Sequence, residues 1–227
     1  MYKTIIRVVL ILVVYLLLRY FGGYWGQMIL YPITRFVTFL HEFGHALAAM
    51  ITGGKVNSLQ INPDGSGLCV TSGGSQLITI MGGYLGSALF GNILFYLGAK
   101  HSKLSGLVLK IVSILMGISG IIWFSSFYSS AILIGFALLI YWISNQNLIR
   151  EEVLMILGLA STIYIIQDFN VGPTSDLQAY SGLLFGISST VWMYIWLVIV
   201  IFMFILNISL IFKRTSKADL LQKSSIK

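Results

Sequence analysis

Charged residues are scarce in this chain, and their scarcity excludes a soluble globular protein. Only 9% of the 227 residues are charged, whereas 57% are hydrophobic, and the mean hydropathy is +0.91. Soluble domains carry charge on about a quarter of their residues. The composition therefore predicts an integral, multi-pass membrane protein that contacts the lipid bilayer along most of its length.

Cysteine is also rare, and the basic residues are too scattered to form one patch. The single cysteine, Cys69, excludes an internal disulfide and a metal site built from several cysteines. The 14 basic residues outnumber the 7 acidic ones, but they stand at the ends of apolar segments and in the tail. That distribution is typical of membrane-flanking positive charge. No nucleic-acid partner is expected.

Apolar segments separated by short polar stretches predict an all-α polytopic membrane protein with six or seven transmembrane helices. We expect a single transmembrane domain over residues 1–212 and a basic polar tail over residues 213–227. The second segment is predicted to begin near Ile29, with Pro32 in its first turn, where proline is tolerated. Seven spans place Arg7 opposite the basic loop at Arg150, whereas six spans place both on one side.

Residues 55–72 change in character and predict a short membrane-associated β-hairpin. Apolar and polar residues alternate on both sides of residues 63–67, a Pro-Asp-Gly-Ser-Gly turn signal. Open strand edges cannot face lipid, so the hairpin must lie at the interface or beside a wet cavity. Such an edge could hold an extended peptide through backbone hydrogen bonds, with Asn57, Leu59 and Ile61 as substrate-binding candidates. A plain connecting loop is the alternative.

The second apolar segment contains the sequence His41-Glu42-Phe43-Gly44-His45. In a helix, His41 and His45 lie one turn apart on the same face, where two imidazoles can bind one zinc ion. Glu42 can then act as a general base on a water molecule. Each ionisable residue in a membrane helix costs about 2.5–3.5 kcal/mol on insertion scales, so such residues are functional candidates. The alternative is a polar contact between helices.

A catalytic zinc ion usually has three protein ligands, so a further ligand is needed. Among the acidic residues, Asp168 and Asp176 are the best candidates, since Asp176 is predicted to begin a helix and Asp168 to end one. We favour Asp176 for its rigid position and keep Asp168 as the alternative ligand or a supporting partner. The remaining acids have ordinary explanations in loops, a turn or the tail: Asp64, Glu151, Glu152 and Asp219.

These residues support three functions. The first is an intramembrane zinc metalloprotease, in which Glu42 takes a proton from water and returns it to the leaving amine. The second is a catalytically inactive zinc-binding membrane protein that acts as a regulatory or interaction partner. The third, a metal transporter, is disfavoured, because the middles of the segments after Asn92 contain almost no acids or histidines.

The chain resembles the site-2 protease class of intramembrane zinc metalloproteases, in particular its compact bacterial branch without a PDZ domain. The resemblance covers residues 40–179. Its matching pieces occur in the same order as in that branch: His41-Glu42-Phe43-Gly44-His45-Ala46, Gly53-Gly54-Lys55-Val56, Pro63-Asp64-Gly65-Ser66-Gly67, Gly82-Gly83-Tyr84-Leu85-Gly86 and Ser175-Asp176-Leu177-Gln178-Ala179.

The resemblance implies zinc at His41, His45 and Asp176, with Glu42 as the general base. It also implies a membrane-anchored protein substrate that is cut within or beside the bilayer, and a multi-pass protein of the bacterial cell membrane. The substrate's identity and the oligomeric state do not follow from it.

Overall fold

The computed structural model describes residues 2–168, 172–184 and 186–213, so the predicted tail lies outside these ranges from residue 214 onward. The described residues form helices and one hairpin: α1 (Tyr2–Phe21), α2 (Gly23–Ile51), β1 (Lys55–Ile61), β2 (Gly67–Ser72), α3 (Gln76–Met81), α4 (Ser87–Lys100), α5 (Ser105–Ile122), α6 (Phe127–Ser144), α7 (Arg150–Asp168), α8 (Ser175–Leu183) and α9 (Ser189–Phe212). A π-helical turn, Gly82–Gly86, joins α3 to α4 without a break.

The predicted fold class is confirmed: the protein is almost entirely helical and carries one small antiparallel hairpin. Among the residues that the structure describes, four helices are long and apolar enough to cross a membrane: Gln76–Lys100, Ser102–Ile122, Phe127–Ser144 and Ser189–Phe212. Their outward faces carry many exposed Ile, Leu, Val and Phe side chains. Such surface is costly in water and favourable against lipid tails.

Helix α2 begins earlier than predicted, at Gly23 rather than near Ile29, which places Pro32 inside the helix. The glycines before Ile29 suggested a turn, but the helices break only at Gly22, and Gly23 has a left-handed φ of 51°. Gly26 lies within α2, and it must be glycine because a side chain there would collide with the Leu18 carbonyl of α1. A glycine that lets two helices approach closely has the same sequence signature as a turn glycine.

Charged side chains gather at one end of the bundle. Arg7 of α1 donates to Glu152 at 2.6 Å and to Glu151 at 3.1 Å, both in the first turn of α7. Lys100 at the end of α4 donates to the Ile211 carbonyl near the end of α9 at 3.1 Å. Arg7 therefore lies at the same end of the bundle as the Arg150 loop, and the count of six or seven spans stays a prediction.

The hairpin was predicted over residues 55–72, and its two strands pair from Lys55↔Ser72 to Ile61↔Gly67. Leu59 and Ile61 are fully buried in a core that also contains residues of α2, α5 and α6. Their backbone N–H groups donate to the Trp123 carbonyl at 3.0 Å and to Ser129 Oγ at 2.9 Å. The outer edge of β1 is thus covered, and the hairpin is a packed element rather than a plain loop.

Candidate metal centre

Helix α2 places His41 and His45 one turn apart, as their spacing predicts. Their Nε2 atoms are 3.1 Å apart, and each lies 3.1 Å from Oδ2 of Asp176. Within the described ranges, this is the one group of three potential metal-binding side chains whose ligand atoms all lie within 4.8 Å of one another. The structure therefore brings together the two histidines and the favoured aspartate.

The spacing of these three atoms fits a zinc ion. Tetrahedral ligands at about 2.05 Å from zinc lie about 3.3 Å from one another, close to the 3.1 Å sides of this triangle. Two imidazoles and a carboxylate also match the donor types of catalytic zinc sites, which leave a fourth position open. His41, His45 and Asp176 would hold the metal.

Backbone contacts from α3 and the π-helical turn orient the imidazoles. His45 Nδ1 donates to the Thr79 carbonyl at 2.8 Å, because a carbonyl can only accept, and in the neutral imidazole this tautomer directs the lone pair of Nε2 toward the cluster. A side chain at Gly83 would collide with both imidazole rings. Gly83, in the Gly82–Gly86 piece of the resemblance, thus makes room for the two histidines.

Asp176 reaches the cluster from the first turn of α8. This short helix is anchored by Leu177 and Tyr180, which are buried in an apolar cluster with residues of α3 and α9. The hydroxyl of Tyr180 also donates to Met81 Sδ at 3.1 Å. The long-range packing of α8, rather than any local spacing, therefore places Asp176 beside the histidines.

Asp168, the alternative ligand, does not join the cluster. Its Oδ2 accepts a hydrogen bond of 2.5 Å from the hydroxyl of Tyr84. Other acids are occupied elsewhere: Asp64 is fully exposed in the hairpin turn, and Glu151 and Glu152 pair with Arg7 at the basic end of the bundle.

Glu42 is buried between the metal-binding face of α2 and strand β2. Its carboxylate interacts with the backbone N–H of Cys69, and a side chain at Gly67 would collide with it. Glu42 lines the same cavity of about 610 Å³ as the three candidate ligands. Burial, with a smaller effect from Glu42, raises the pKa of the Cys69 thiol to about 12.

Sequence reasoning missed the residues that dock the hairpin turn on α2. Arg35 Nη2 donates to the Pro63 carbonyl at 2.5 Å, and Thr38 Oγ1 donates to the Gly65 carbonyl at 2.7 Å. Arg35 is only 5% exposed, and its guanidinium stacks 4.2 Å from the ring centre of Tyr31. A buried arginine in an apolar segment was the available signal.

The predicted substrate-binding residues of β1 do not line the cavity. Leu59 and Ile61 are buried in the core, and Asn57 accepts a hydrogen bond from Ser72 at 3.3 Å. Strand β2 lines the cavity instead, through residues 67–69 and Thr71. The alternation of β1 predicted a strand, but it could not show which of the two strands faces the metal centre.

The comparison with protein families accords with this geometry. The family model described as Peptidase M50B-like matches residues 5–207. The chain belongs to this family. It matches no curated protein and no solved structure.

Membership of the Peptidase M50B-like family makes a metallopeptidase the implied class for this chain. It is consistent with the resemblance stated from the motifs, and the four apolar helices accord with a membrane-embedded peptidase. The family gives neither a substrate nor the state of the site in this chain.

Proposed function

We propose that this M50B-like protein is an intramembrane zinc metalloprotease that hydrolyses peptide bonds of membrane-anchored proteins within or next to the bilayer. The observation that carries the proposal is the triangle of His41, His45 and Asp176 beside the buried carboxylate of Glu42 in one cavity. By its composition and apolar helices it is an integral membrane protein, and we place it in the bacterial cell membrane as a multi-pass protein.

Each residue of the site has a distinct role in such a reaction. Zinc, when bound, polarises the scissile carbonyl and lowers the pKa of a water ligand. Glu42 accepts the proton of the attacking water and passes it to the leaving amine. Thr79 holds His45 in the tautomer that presents Nε2 to the metal. Gly67 of β2 leaves room for the carboxylate of Glu42 in the same cavity.

The exposed edge of β2 is the place where an extended substrate could pair. Leu59 lies opposite Cys69, and because the Leu59 N–H donates to Trp123 outside the hairpin, the two form a non-hydrogen-bonded pair whose backbone groups point away from each other. The N–H of Leu59 points to Trp123, so that of Cys69 points to the cavity, where it interacts with Glu42. A peptide strand that pairs with β2 would pass along the metal centre.

The contact between Glu42 and β2 also favours a second candidate function. In this arrangement the carboxylate of the general base is engaged by the backbone N–H of Cys69. A protein that kept this contact permanently would bind zinc without hydrolysing peptides. It would then act as a regulatory or interaction partner in the membrane.

The Glu42→Gln variant separates the two functions. Glutamine fills the same volume but cannot take up the proton, so we expect zinc binding and folding to persist while cleavage is lost. The measurement is a comparison of new protein termini in membranes from cells that express wild type, Glu42→Gln or the control Glu152→Gln. The protease proposal requires termini that appear with wild type and Glu152→Gln alone. If zinc-loaded wild type and Glu42→Gln give the same termini, the protein is the inactive zinc-binding partner.

A further inference from the structure

Tyr84 lies between the histidine pair and the α8 segment, residues 172–183, which carries Asp176. Its ring packs edge-on against His41 with a centroid distance of 4.5 Å, and its hydroxyl donates to Asp168 at 2.5 Å. The side chain is almost completely buried, with 5% of its surface exposed. One residue thus contacts a proposed metal ligand and the end of the helix that precedes the α8 segment.

The backbone of Tyr84 is held firmly from the α2 side. Tyr84 is the central residue of the π-helical turn, and π-turns occur often at functional sites. Gly82 approaches the backbone of Gly44 so closely that a side chain there would collide with it, and Gly83 fits against both imidazoles. These approaches leave the turn little freedom to move relative to α2.

The α8 segment has weaker local support of its own. Helix α8 has only nine residues, and Thr174 makes no side-chain capping bond to its backbone. Its buried contacts involve Leu177 and Tyr180, which follow Asp176 in the sequence. On its N-terminal side, the position of Asp176 therefore depends on where α7 ends, which is at Asp168.

We propose that Tyr84 and Asp168 are a positioning pair for the third metal ligand: their hydrogen bond joins the turn that cradles the histidines to the segment that carries Asp176. The inference rests on the proposed zinc site but assigns a role to residues outside the ligand set. Partners hydrogen-bonded directly to metal ligands typically change metal affinity by about 10- to 100-fold. Tyr84 and Asp168 act one contact further out, so we expect Tyr84→Phe to raise the zinc dissociation constant by about tenfold, the lower end of this range.

The Asp168 variants separate positioning from direct ligation. Asparagine at position 168 keeps an oxygen that can accept the Tyr84 hydrogen bond, whereas alanine does not. We therefore expect Asp168→Asn to bind zinc nearly as wild type does and Asp168→Ala to weaken zinc binding. The Tyr84 hydroxyl also interacts with Thr174, so Tyr84→Phe should weaken zinc binding at least as much as Asp168→Ala does. The double variant Tyr84→Phe/Asp168→Ala should be no weaker than Tyr84→Phe alone, because Tyr84→Phe already removes the bond to Asp168.

The experiment is a zinc titration of full-length protein in detergent against a competing chelator, with thermal unfolding of the metal-free variants measured in parallel. Tyr96→Phe, on α4 beside His101 and away from the site, is the matched control. The proposal is overturned if wild type and Tyr84→Phe bind zinc equally, or if Asp168→Asn loses zinc as fully as Asp168→Ala. It is also overturned if the metal-free variant unfolds at lower temperature in proportion to its lost affinity. Wild type that binds no zinc refutes the proposed function itself.

Discussion

The proposed metal centre is built from two sides that depend on different parts of the chain. On one side, His41 and His45 stand on a single helix, four residues apart, so the geometry of α2 alone fixes their spacing. On the other side, Asp176 is 135 residues from His41 in the sequence and arrives through the packing of α8. Two ligands are therefore encoded locally, and the third is encoded by the tertiary structure.

This difference explains why the sequence alone located the two histidines but left two candidates for the third ligand. A pair of histidines at helical spacing needs no knowledge of the fold. The third ligand needed a choice between two aspartates at opposite ends of one connection, and only the packing of α8 and the Tyr84 bond separate them. Perturbing each side in turn tests whether both are needed.

Removing a ligand from either side should have the largest effect. We expect purified wild type to hold about one zinc ion per chain and His45→Ala and Asp176→Ala to hold almost none. The loss should exceed the roughly 10- to 100-fold effect of partners outside the ligand set. The measurement is metal content by elemental analysis, with His101→Ala as the control because His101 is outside the cluster.

Unequal loss of zinc from these variants would change what each side is taken to contribute to metal binding. If Asp176→Ala keeps its zinc while His45→Ala loses it, Asp176 is not a ligand and the tertiary side of the centre is dispensable. If His101→Ala loses zinc as well, the metal binds outside the described cluster.

A second variant tests how tightly the π-helical turn packs against His41 and His45 of α2. In Gly83→Ala the new methyl group would collide with both imidazoles, so we expect a loss of about 1–3 kcal/mol in stability and weaker zinc binding. Gly135→Ala, in α6, is the control because a methyl group there would meet open space, and alanine favours a helix over glycine by up to about 1 kcal/mol. Thermal unfolding in detergent measures both variants. Equal unfolding temperatures would show that the turn yields easily.

The sequence predicted those features that depend on local spacing. These were the helical class, the hairpin at residues 55–72, and the two histidines with Glu42. For the third ligand, which depends on tertiary packing, it indicated only a preference for Asp176 over Asp168. It could not show that β2 rather than β1 lines the cavity, since both strands alternate and only the burial of Leu59 and Ile61 distinguishes them. Nor could it show the partners of Arg35 and Tyr84, because each bond joins residues far apart in the chain.

The hairpin determines how accessible Glu42 is. Strand β2 covers Glu42, and Arg35 holds the hairpin turn on α2. Arg35→Met should loosen this attachment, since a hydrogen bond from a charged group contributes about 1.5–3 kcal/mol, and should expose Cys69 at least about tenfold more often. The thiol is well suited to report this opening: it is the single cysteine, and burial raises its pKa to about 12, so alkylation at neutral pH is slow while β2 is docked.

The control for Arg35→Met is Asp64→Ala, in the hairpin turn that Arg35 contacts. The Asp64 carboxylate accepts hydrogen bonds from the Ser66 N–H and hydroxyl at 2.9 and 2.7 Å, which hold its pKa below the ordinary value. This contribution to the turn is present at neutral pH and is lost only as pH falls through the lowered pKa. Because Asp64 is exposed, its hydrogen bonds to Ser66 lie within the turn and its attraction to Arg35 is a weaker cause of its lowered pKa, Asp64→Ala should change the alkylation rate of Cys69 by less than about twofold. If Asp64→Ala opened the hairpin as far as Arg35→Met does, the turn's own structure rather than its attachment to α2 would hold β2 over the general base.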